Sequence, residues 1–251
     1  MHRFFVDPAN IRNEEVLLEG DDFKHLKLVL RLRPQDTIHV FDGSGTEYVA
    51  TISSINESNA LAKIQSLYKS DTEPKVRVTL FQGVPKGDKM DLIIQKTTEL
   101  GVYRIVPVIT DRTVVKINEK DKAKKTTRWS KIAKEAAKQC QRAYVPEIFQ
   151  PVNFGEISEY IRDFDASVLL YENESKKCLK EVLKCYTINK IEDISIIVGP
   201  EGGFTDQEIE SYRKWGGYDT AGLGRRILRT ETASIAALSI ILYELGEMTY
   251  G

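Results

Sequence analysis

The stretch that decides the fold is "AGLGRRILRTETASIAALSIILYELG", residues 221–246 of a 251-residue chain. It opens with two glycines, places three arginines, two threonines and a glutamate within the nine residues 224–232, and closes as an apolar run. The run predicts a helix over 230–244 that is apolar on almost every side, and such a helix has to be buried. Charged and hydrogen-bonding groups therefore stand directly before a buried segment, which calls for an explanation in the fold or in the function.

The region before this stretch alternates between strands and helices. The strands are predicted over "VRVTLFQ" (76–82), "RIVPVI" (104–109), "ASVLLYE" (166–172), "ISIIVG" (194–199) and "YDTAGL" (218–223), and the other helices over 88–101, 126–140 and 205–217. The runs at 166–172 and 194–199 are almost continuously apolar, as is typical of parallel strands buried on both faces. The alternation predicts an α/β domain with a parallel sheet over residues 72–251.

Residues 1–71 have a different character. Short β-branched and aromatic runs, "RFFV" (3–6), "TIHVFDG" (37–43), "EYVATISSI" (47–55) and "ALAKIQSL" (60–67), are separated by turn residues. One helix is predicted over 21–32, with Phe23, Leu26 and Leu30 on one face and basic residues on another. "SDTEPK" (70–75) reads as a linker, so we expect a small β-rich domain over residues 1–71.

The composition is that of an ordinary soluble globular protein, with 41% hydrophobic and 29% charged residues and a formal net charge of −1. No apolar stretch approaches the roughly 18 residues that would suggest a membrane span. The three cysteines fit no zinc spacing, and we interpret them as reduced thiols of a cytosolic protein. All three histidines lie within the first 39 residues, which argues against a local Ser-His-Asp or zinc site in the rest of the chain.

The charge is unevenly distributed. Residues 112–142 hold eleven Lys/Arg and three Asp/Glu. Such a run is often a solvated helix face, but it can also be a surface for the phosphates of a nucleic acid. A second basic stripe on the predicted helix of the first domain favours RNA or DNA as a partner, although phosphate contacts confer no sequence specificity.

Two glycine-rich loops follow strands of the predicted sheet, in "IIVGPEGGF" (196–204) and "TAGLGRRIL" (220–228). Ligands of open parallel sheets bind beyond the carboxyl ends of the strands. Neither loop has the Lys-Ser/Thr ending of a P-loop, and "GLGRRI" lacks the third glycine of a dinucleotide fingerprint. Either loop alone could be a tight turn, but two of them on the last strands of one sheet indicate a ligand site.

These two loops carry a family resemblance. "VGPEGGF" followed by "LGRRILRTETA" resembles the C-terminal signature of the SPOUT class of RNA methyltransferases, and more narrowly that of the bacterial 16S ribosomal RNA (uracil-N3) methyltransferases. The upstream stretches "HRFFV", "HLKLVLRLR", "FDGSGTEY", "KGDKMDLIIQKTTELGV", "IVPVITDRT" and "RWSKIAKEAAKQCQR" agree in the same order. The resemblance covers nearly the whole chain and is weakest over residues 153–193.

The resemblance implies a fold, a cofactor and partners. The first domain would be a PUA-like RNA-binding β-barrel, and the second an α/β SPOUT domain whose last elements form a deep trefoil knot. The enzyme would use S-adenosyl-L-methionine to methylate N3 of the uridine at position 1498 of 16S ribosomal RNA in the small subunit. It would work as a homodimer in the cytoplasm, with no metal and no membrane attachment.

The resemblance also suggests which residues form the site. Arg229 is the candidate for stabilising charge on the acceptor or clamping a phosphate, the alternative being a surface salt bridge. Glu231 would orient the base or the cofactor, or itself take the proton of the acceptor, the alternative being that it complements the helix dipole with Thr230 as N-cap. The cofactor-binding candidates are Leu170, Tyr171, Gly199, Pro200, Glu201, Gly203, Leu223, Gly224, Ile227 and Leu228. The candidates for RNA contact are Arg3, Lys24, Arg31, Arg33, Lys86, Lys89 and Arg142.

Three other functions compete with this interpretation. A related SPOUT enzyme could methylate a ribose 2′-oxygen or a guanine, because the fold alone does not set the acceptor. A non-catalytic RNA-binding or ribosome-assembly protein could retain the fold, but it would not need an intact cofactor pocket. An ATP- or GTP-dependent enzyme is disfavoured because there is no P-loop.

Overall fold

The computed structural model describes residues 2–187, 191–216 and 219–249. The chain forms two compact units. The first unit joins Met1–Glu73 to the later segment Ala137–Val145, and the second comprises Pro74–Ala136 and Pro146–Gly251. The return of residues 137–145 to the first unit is a long-range contact that no local pattern in the sequence signals.

The first unit is built on a six-stranded sheet. Its strands are β1 (Arg3–Phe5), β2 (Ile11–Arg12), β3 (Glu15–Glu19), β4 (Thr37–Phe41), β5 (Thr46–Ile55) and β6 (Asn59–Lys69), in the order β1-β4-β5-β6-β3-β2. Only β1 and β4 pair in parallel, and the other pairs are antiparallel. The four predicted strands are present. The sequence analysis missed β3, although its Val16 and Leu18 alternate into the core as a half-buried strand requires.

The helix predicted over 21–32 is shorter and less regular than expected. It consists of α1 (Gly20–Lys24) and a π-helical turn, His25–Val29. Phe23 and Leu26 are buried, as the predicted apolar face requires. The helix cannot continue because Arg31 has a positive φ of 53°, outside the right-handed helical region.

The second unit contains a seven-stranded parallel sheet. Its strands are β7 (Arg77–Gly83), β8 (Arg104–Ile109), β9 (Glu147–Ile148), β10 (Val152–Asn153), β11 (Ala166–Leu170), β12 (Asp193–Val198) and β13 (Asp219–Ala221). The order is β10-β8-β7-β12-β11-β13, with β9 also paired to β8. All pairs are parallel, so the α/β prediction is confirmed. Strands β12, β11 and β13 are neighbours, and their carboxyl ends therefore share one edge.

The helices of this unit are α2 (Lys89–Leu100), α3 (Glu119–Cys140, whose end belongs to the first unit), α4 (Ile157–Tyr160), α5 (Leu179–Thr187), α6 (Asp206–Lys214) and α7 (Thr230–Glu244). The sequence analysis missed α4 and α5, which lie where the resemblance is weakest. Helix α3 begins seven residues before its prediction, because the Asn118 side chain accepts a hydrogen bond from the Asp121 N–H and caps it. Helix α7 contacts α2, α5 and strands β7 and β12, which explains its apolar composition.

The segment after β13 lies tightly against the loop that follows β11. The Gly222 N–H donates to the Lys177 carbonyl, and the Leu179 N–H donates to the Gly222 carbonyl. A Cβ at Gly222 would lie 2.9 Å from the Glu174 carbonyl oxygen, so only glycine fits. The trefoil knot that the resemblance implies stays a prediction. No helix in the described part of the chain is long and apolar enough to cross a membrane.

Candidate active site at the ends of β11, β12 and β13

A cavity of about 480 Å³ lies in the second unit, where β11, β12 and β13 end. Its walls come from the loops after these three strands and from the start of α7. The structure brings together all ten residues suggested for cofactor binding: Leu170, Tyr171, Gly199, Pro200, Glu201, Gly203, Leu223, Gly224, Ile227 and Leu228. Cavities of this size and position are typical of small-molecule sites in open α/β sheets.

The loop after β12 needs its glycines for close approach. Gly203 has φ = +67°, and a Cβ there would lie 2.4 Å from an oxygen of Glu172. Its N–H donates to the Pro200 carbonyl at 3.0 Å, which closes the turn. A Cβ at Gly83, on β7, would lie 2.5 Å from Pro200. Position 203 is therefore too crowded for a side chain, and the loop is packed closely against β7 and against Glu172.

The loop after β13 has free space around its glycine Gly224, unlike the loop after β12 around Gly203. Gly224 has φ = +100°, which side chains rarely tolerate, although a Cβ there would meet none of the described residues within 4 Å. The Ile227 side chain beyond it is 86% exposed. Because Ile227 also lines the cavity, this side chain offers an apolar surface to a ligand.

A buried hydrogen-bond network connects both loops to the core. The Thr230 hydroxyl donates to the Gly199 carbonyl at 2.6 Å and accepts from the Gln82 amide at 3.0 Å. The Ser234 hydroxyl, one turn further along α7, donates to the Gln82 side-chain oxygen. The polar residues at the start of α7 thus connect the two walls of the cavity. This explains why hydrogen-bonding residues stand directly before the buried segment.

Three charged side chains meet beside the cavity. The Lys89 ammonium lies 2.9 Å from a carboxylate oxygen of Glu201 and 3.6 Å from Oε2 of Glu231. The hydrogen bond with Glu201 raises the pKa of Lys89 above its ordinary value, and the charge of Glu231 adds to this. Burial raises the pKa of Glu201, but hydrogen bonds from Lys89 and from backbone N–H groups outweigh it, so this pKa is lowered. Lys89 and Glu201 therefore both carry their charges at neutral pH.

The two residues suggested for catalysis differ in exposure. Arg229 is exposed and lines the cavity, whereas Glu231 is largely buried behind Lys89. Arg229 occupies the N-cap position of α7 without a side-chain cap, so the expectation of Thr230 as N-cap is wrong. Thr230 is instead the first helical residue, and its hydroxyl takes part in the buried network.

The rim of the cavity carries two further arginines that the sequence analysis did not select. Arg225 and Arg226 are exposed and line the cavity with Arg229. Within the described residues none of the three forms an ion pair. The signal was visible as "RRILR", three cations within five residues directly after a glycine turn. Their positive field can attract the phosphates of an RNA.

Two residues suggested for RNA contact have structural partners in the first unit. The Arg142 side chain is 7% exposed and donates to Glu73 at 2.7 and 3.1 Å. Arg3 forms an ion pair with Glu47, and its side chain is mostly buried. Both cations are thus paired with carboxylates of the first unit, Glu47 being buried and Glu73 half-buried, and breaking either pair would leave a charge without its counter-ion.

The remaining candidates are more accessible. Arg31 and Arg33 are exposed in the first unit, with no ion pair among the described residues. Lys24 is exposed too and pairs with Asp21 at 2.9 Å. Lys86, in the second unit, has an exposed side chain, while its backbone N–H donates to Glu201. No group of three or more metal-ligating side chains occurs in residues 2–187, 191–216 and 219–249.

Comparisons with known proteins were consistent with this geometry. Residues 72–242 match the RNA methyltransferase domain family, and residues 18–65 match the RNA methyltransferase PUA domain family. The chain is 35% identical to ribosomal RNA small subunit methyltransferase E of Bacillus subtilis, over 97% of both chains. It is 31% identical to the protein of the same name from Rickettsia conorii, over 95% of this chain and 93% of that one.

Two solved structures are similar over most of the chain. One is ribosomal RNA small subunit methyltransferase E from Neisseria gonorrhoeae bound to S-adenosyl methionine, with a TM-score of 0.80, 33% identity and coverage of 99% of this chain and 100% of that one. The other is a putative methyltransferase from Legionella pneumophila in complex with the cofactor SAM, with a TM-score of 0.78, 32% identity and 96% coverage of both.

Proposed function

The chain belongs to this family of RNA methyltransferases, and on that premise we propose that it methylates N3 of a uridine, position 1498, in 16S ribosomal RNA of the small subunit. S-adenosylmethionine is its methyl donor, as the bound cofactor of the similar structures supports. The observation that carries the proposal is the cavity, whose two glycine loops stand beside the charged group of Lys89, Glu201 and Glu231.

The cavity suits S-adenosylmethionine in both shape and chemistry. Leu170, Leu223, Ile227 and Leu228 form apolar walls against which an adenine ring can lie. Gly199 and Gly203 line the cavity and have no side chains of their own, so the backbone at these positions can approach the ligand closely. When bound, the cofactor supplies a methyl group already activated on a sulfonium. The protein therefore has to hold the acceptor in line and prepare it for attack.

The acceptor needs electrostatic help. N3 of uracil carries a proton and becomes a good nucleophile only when this proton is lost, which spreads negative charge over O2 and O4. A cation placed at these oxygens lowers the barrier, as donors do in an oxyanion hole. We propose that Arg229 fills this role or clamps the neighbouring phosphate, since it is exposed on the rim of the cavity.

The RNA is proposed to contact both units. Arg31, Arg33 and Lys24 in the PUA-like unit are exposed cations, and Lys86 is an exposed cation of the second unit. Such contacts hold an RNA by its phosphates and leave recognition of the base to the cavity.

A homodimer in the cytoplasm completes the proposal. Helix α7 keeps apolar side chains on its surface, and Tyr243 is 69% exposed. Leu92 of α2, the helix packed against α7, is 42% exposed. Apolar side chains of this size on a paired helix surface support self-association. A ribosomal RNA substrate supports the proposed location of the protein in the cytoplasm.

Mapping of methylated nucleotides tests the function. Small subunits from a strain without this protein should lack N3-methyluridine at position 1498, and the purified protein with S-adenosylmethionine should restore it. Fragment masses and the block to reverse transcription locate the methyl group. A methyl group on a ribose or a guanine would overturn the N3 assignment, and cofactor binding without any methylation would favour the non-catalytic alternative.

A further inference from the structure

Resting on the proposed function, we propose that Lys89 is a catalytic residue whose ammonium donates to O2 or O4 of the ionised uracil, and that Glu201 and Glu231 are positioning residues that hold this ammonium. This assignment differs from a role of Lys89 as a phosphate contact. It also gives Glu231 a task other than taking the proton from N3.

The position of Lys89 in its helix is unfavourable for a cation. It is the first residue of α2, where the positive end of the helix dipole disfavours an ammonium. Two carboxylates from distant parts of the chain offset this cost, Glu201 from the loop after β12 and Glu231 from the first turn of α7. A lysine that is only solvated needs no carboxylates beside it. The two carboxylates therefore serve to hold a positive charge at this position.

The Lys89 ammonium has hydrogen-bond donors left for a ligand. An ammonium has three donors, and among the described residues Lys89 spends one on Glu201 at 2.9 Å. The 3.6 Å to Oε2 of Glu231 is an ion pair and too long for a hydrogen bond. Lys89 lines the cavity, so its remaining N–H groups can reach a base there.

Glu231 sits behind Lys89, away from a bound base. Within the part of the chain that the structure describes, its buried Oε2 has no hydrogen-bond partner, and Glu231 is not among the residues that line the cavity. A carboxylate in this position acts through the cation in front of it. The other charged residues at this end are Glu172, Arg225, Arg226 and Arg229, which line the cavity, Lys86 and Arg112, which contact the loop after β12, and Asp88 and Asp91, which pair with Arg128.

The geometry of the reaction also favours a cation over a base at the moment of transfer. The N3 lone pair forms the new N–C bond in the plane of the ring while the C–S bond breaks, and the electron pair of that bond stays on sulfur. The position of the departed proton is then taken by the methyl carbon, so no base can remain there. The proton has left to solvent, and O2 and O4 stay free to accept hydrogen bonds from Lys89.

The test is the pH dependence of single-turnover methylation, with small subunits that lack the methyl group. We expect the wild-type rate to rise with pH and level off at an apparent pKa. In Lys89→Met this pKa should move up by about 1–2 units, because a charge-assisted hydrogen bond to the anion is lost, and the rate at neutral pH should fall roughly 10- to 100-fold. Lys96→Met, the same change further along α2, should match the wild type, and Lys89→Arg should keep the lower pKa.

A second measurement needs no cofactor. Ribosomal RNA with 5-fluorouridine at the methylated position, introduced by ligation, loses its N3 proton at lower pH. Subunits carrying it should bind the wild type more tightly than ordinary subunits as the pH rises, and Lys89→Met should lose that preference. The same substrate should restore much of the rate of Lys89→Met.

The outcomes separate the two proposals. If the wild type does not methylate N3 of uridine, the proposed function fails. If it does, and Lys89→Met shows an unchanged apparent pKa and keeps its preference for the fluorinated subunits, Lys89 does not stabilise the anion. Glu201→Gln leaves the cation but loosens it, so a lower rate with little change in apparent pKa is expected, and a wild-type rate would refute its positioning role.

Discussion

The replacement Thr230→Val tests whether the buried network holds the cavity in shape. Valine has nearly the shape of threonine but lacks the hydroxyl, which donates to the Gly199 carbonyl at 2.6 Å and accepts from Gln82 at 3.0 Å. Thr230 and Gln82 are both buried, so water cannot replace either bond. The other Gln82 amide hydrogen still donates to the Gly83 carbonyl. The change thus leaves one donor, the Gln82 amide N–H, and one acceptor, the Gly199 carbonyl, without their partner.

The cost follows from these two groups. Each buried polar group that loses its partner costs about 1–3 kcal/mol, so we expect a loss of roughly 2–6 kcal/mol in the free energy of unfolding. For a unit of this size, this lowers the melting temperature by roughly 4–24 °C. Because Gly199 and Thr230 both line the cavity, the affinity for S-adenosylmethionine should also fall, by about 10-fold for each 1.4 kcal/mol of lost preorganisation.

Differential scanning calorimetry and isothermal titration with S-adenosylmethionine measure the two effects. Thr230→Ser keeps the hydroxyl and should retain most of the stability and affinity. Thr232→Val makes the same replacement at an exposed position of the same helix and should change neither. A melting temperature within about 1 °C of the wild type and an unchanged affinity in Thr230→Val would refute the idea that this network supports the site.

Three further predictions concern the loops and the cations. Gly224→Val should weaken cofactor binding at least 10-fold in calorimetric titration because φ = +100° excludes a β-branched residue, whereas Gly155→Ala, at an open position without positive φ, should bind normally. Arg142→Met should destabilise the protein by about 3 kcal/mol in urea titration, since it removes the cation that pairs with Glu73 and leaves the Tyr144 N–H donating to that carboxylate, while exposed Arg31→Ala should leave stability unchanged and flatten the salt dependence of RNA affinity by about one unit of slope. Arg229→Ala should lower the single-turnover rate roughly 100-fold with little change in cofactor affinity, and a wild-type rate would exclude it from catalysis.

Much of this protein was determined by local features of its sequence. Apolar strand runs that alternate with segments of helical periodicity predict the parallel sheet. Both patterns can be recognised along the sequence because each of them extends over only a few residues. The glycines at 199, 203 and 224 mark the loops of the cavity, because Gly203 and Gly224 have positive φ and a Cβ at Gly199 would lie only 3.1 Å from Gly203 and Phe204. The family resemblance then supplies the chemistry, since its motifs occupy these same loops.

The tertiary structure decided how side chains are combined. Thr230 meets Gln82 across 148 positions of the chain, and Lys89 meets Glu201 across 112. Arg142 looks like any other cation of a basic run, yet it is buried against Glu73, 69 positions away. A local pattern reports only on neighbours along the chain, whereas the partner of a polar side chain depends on which distant segment packs beside it. The roles of these polar residues were therefore set by packing.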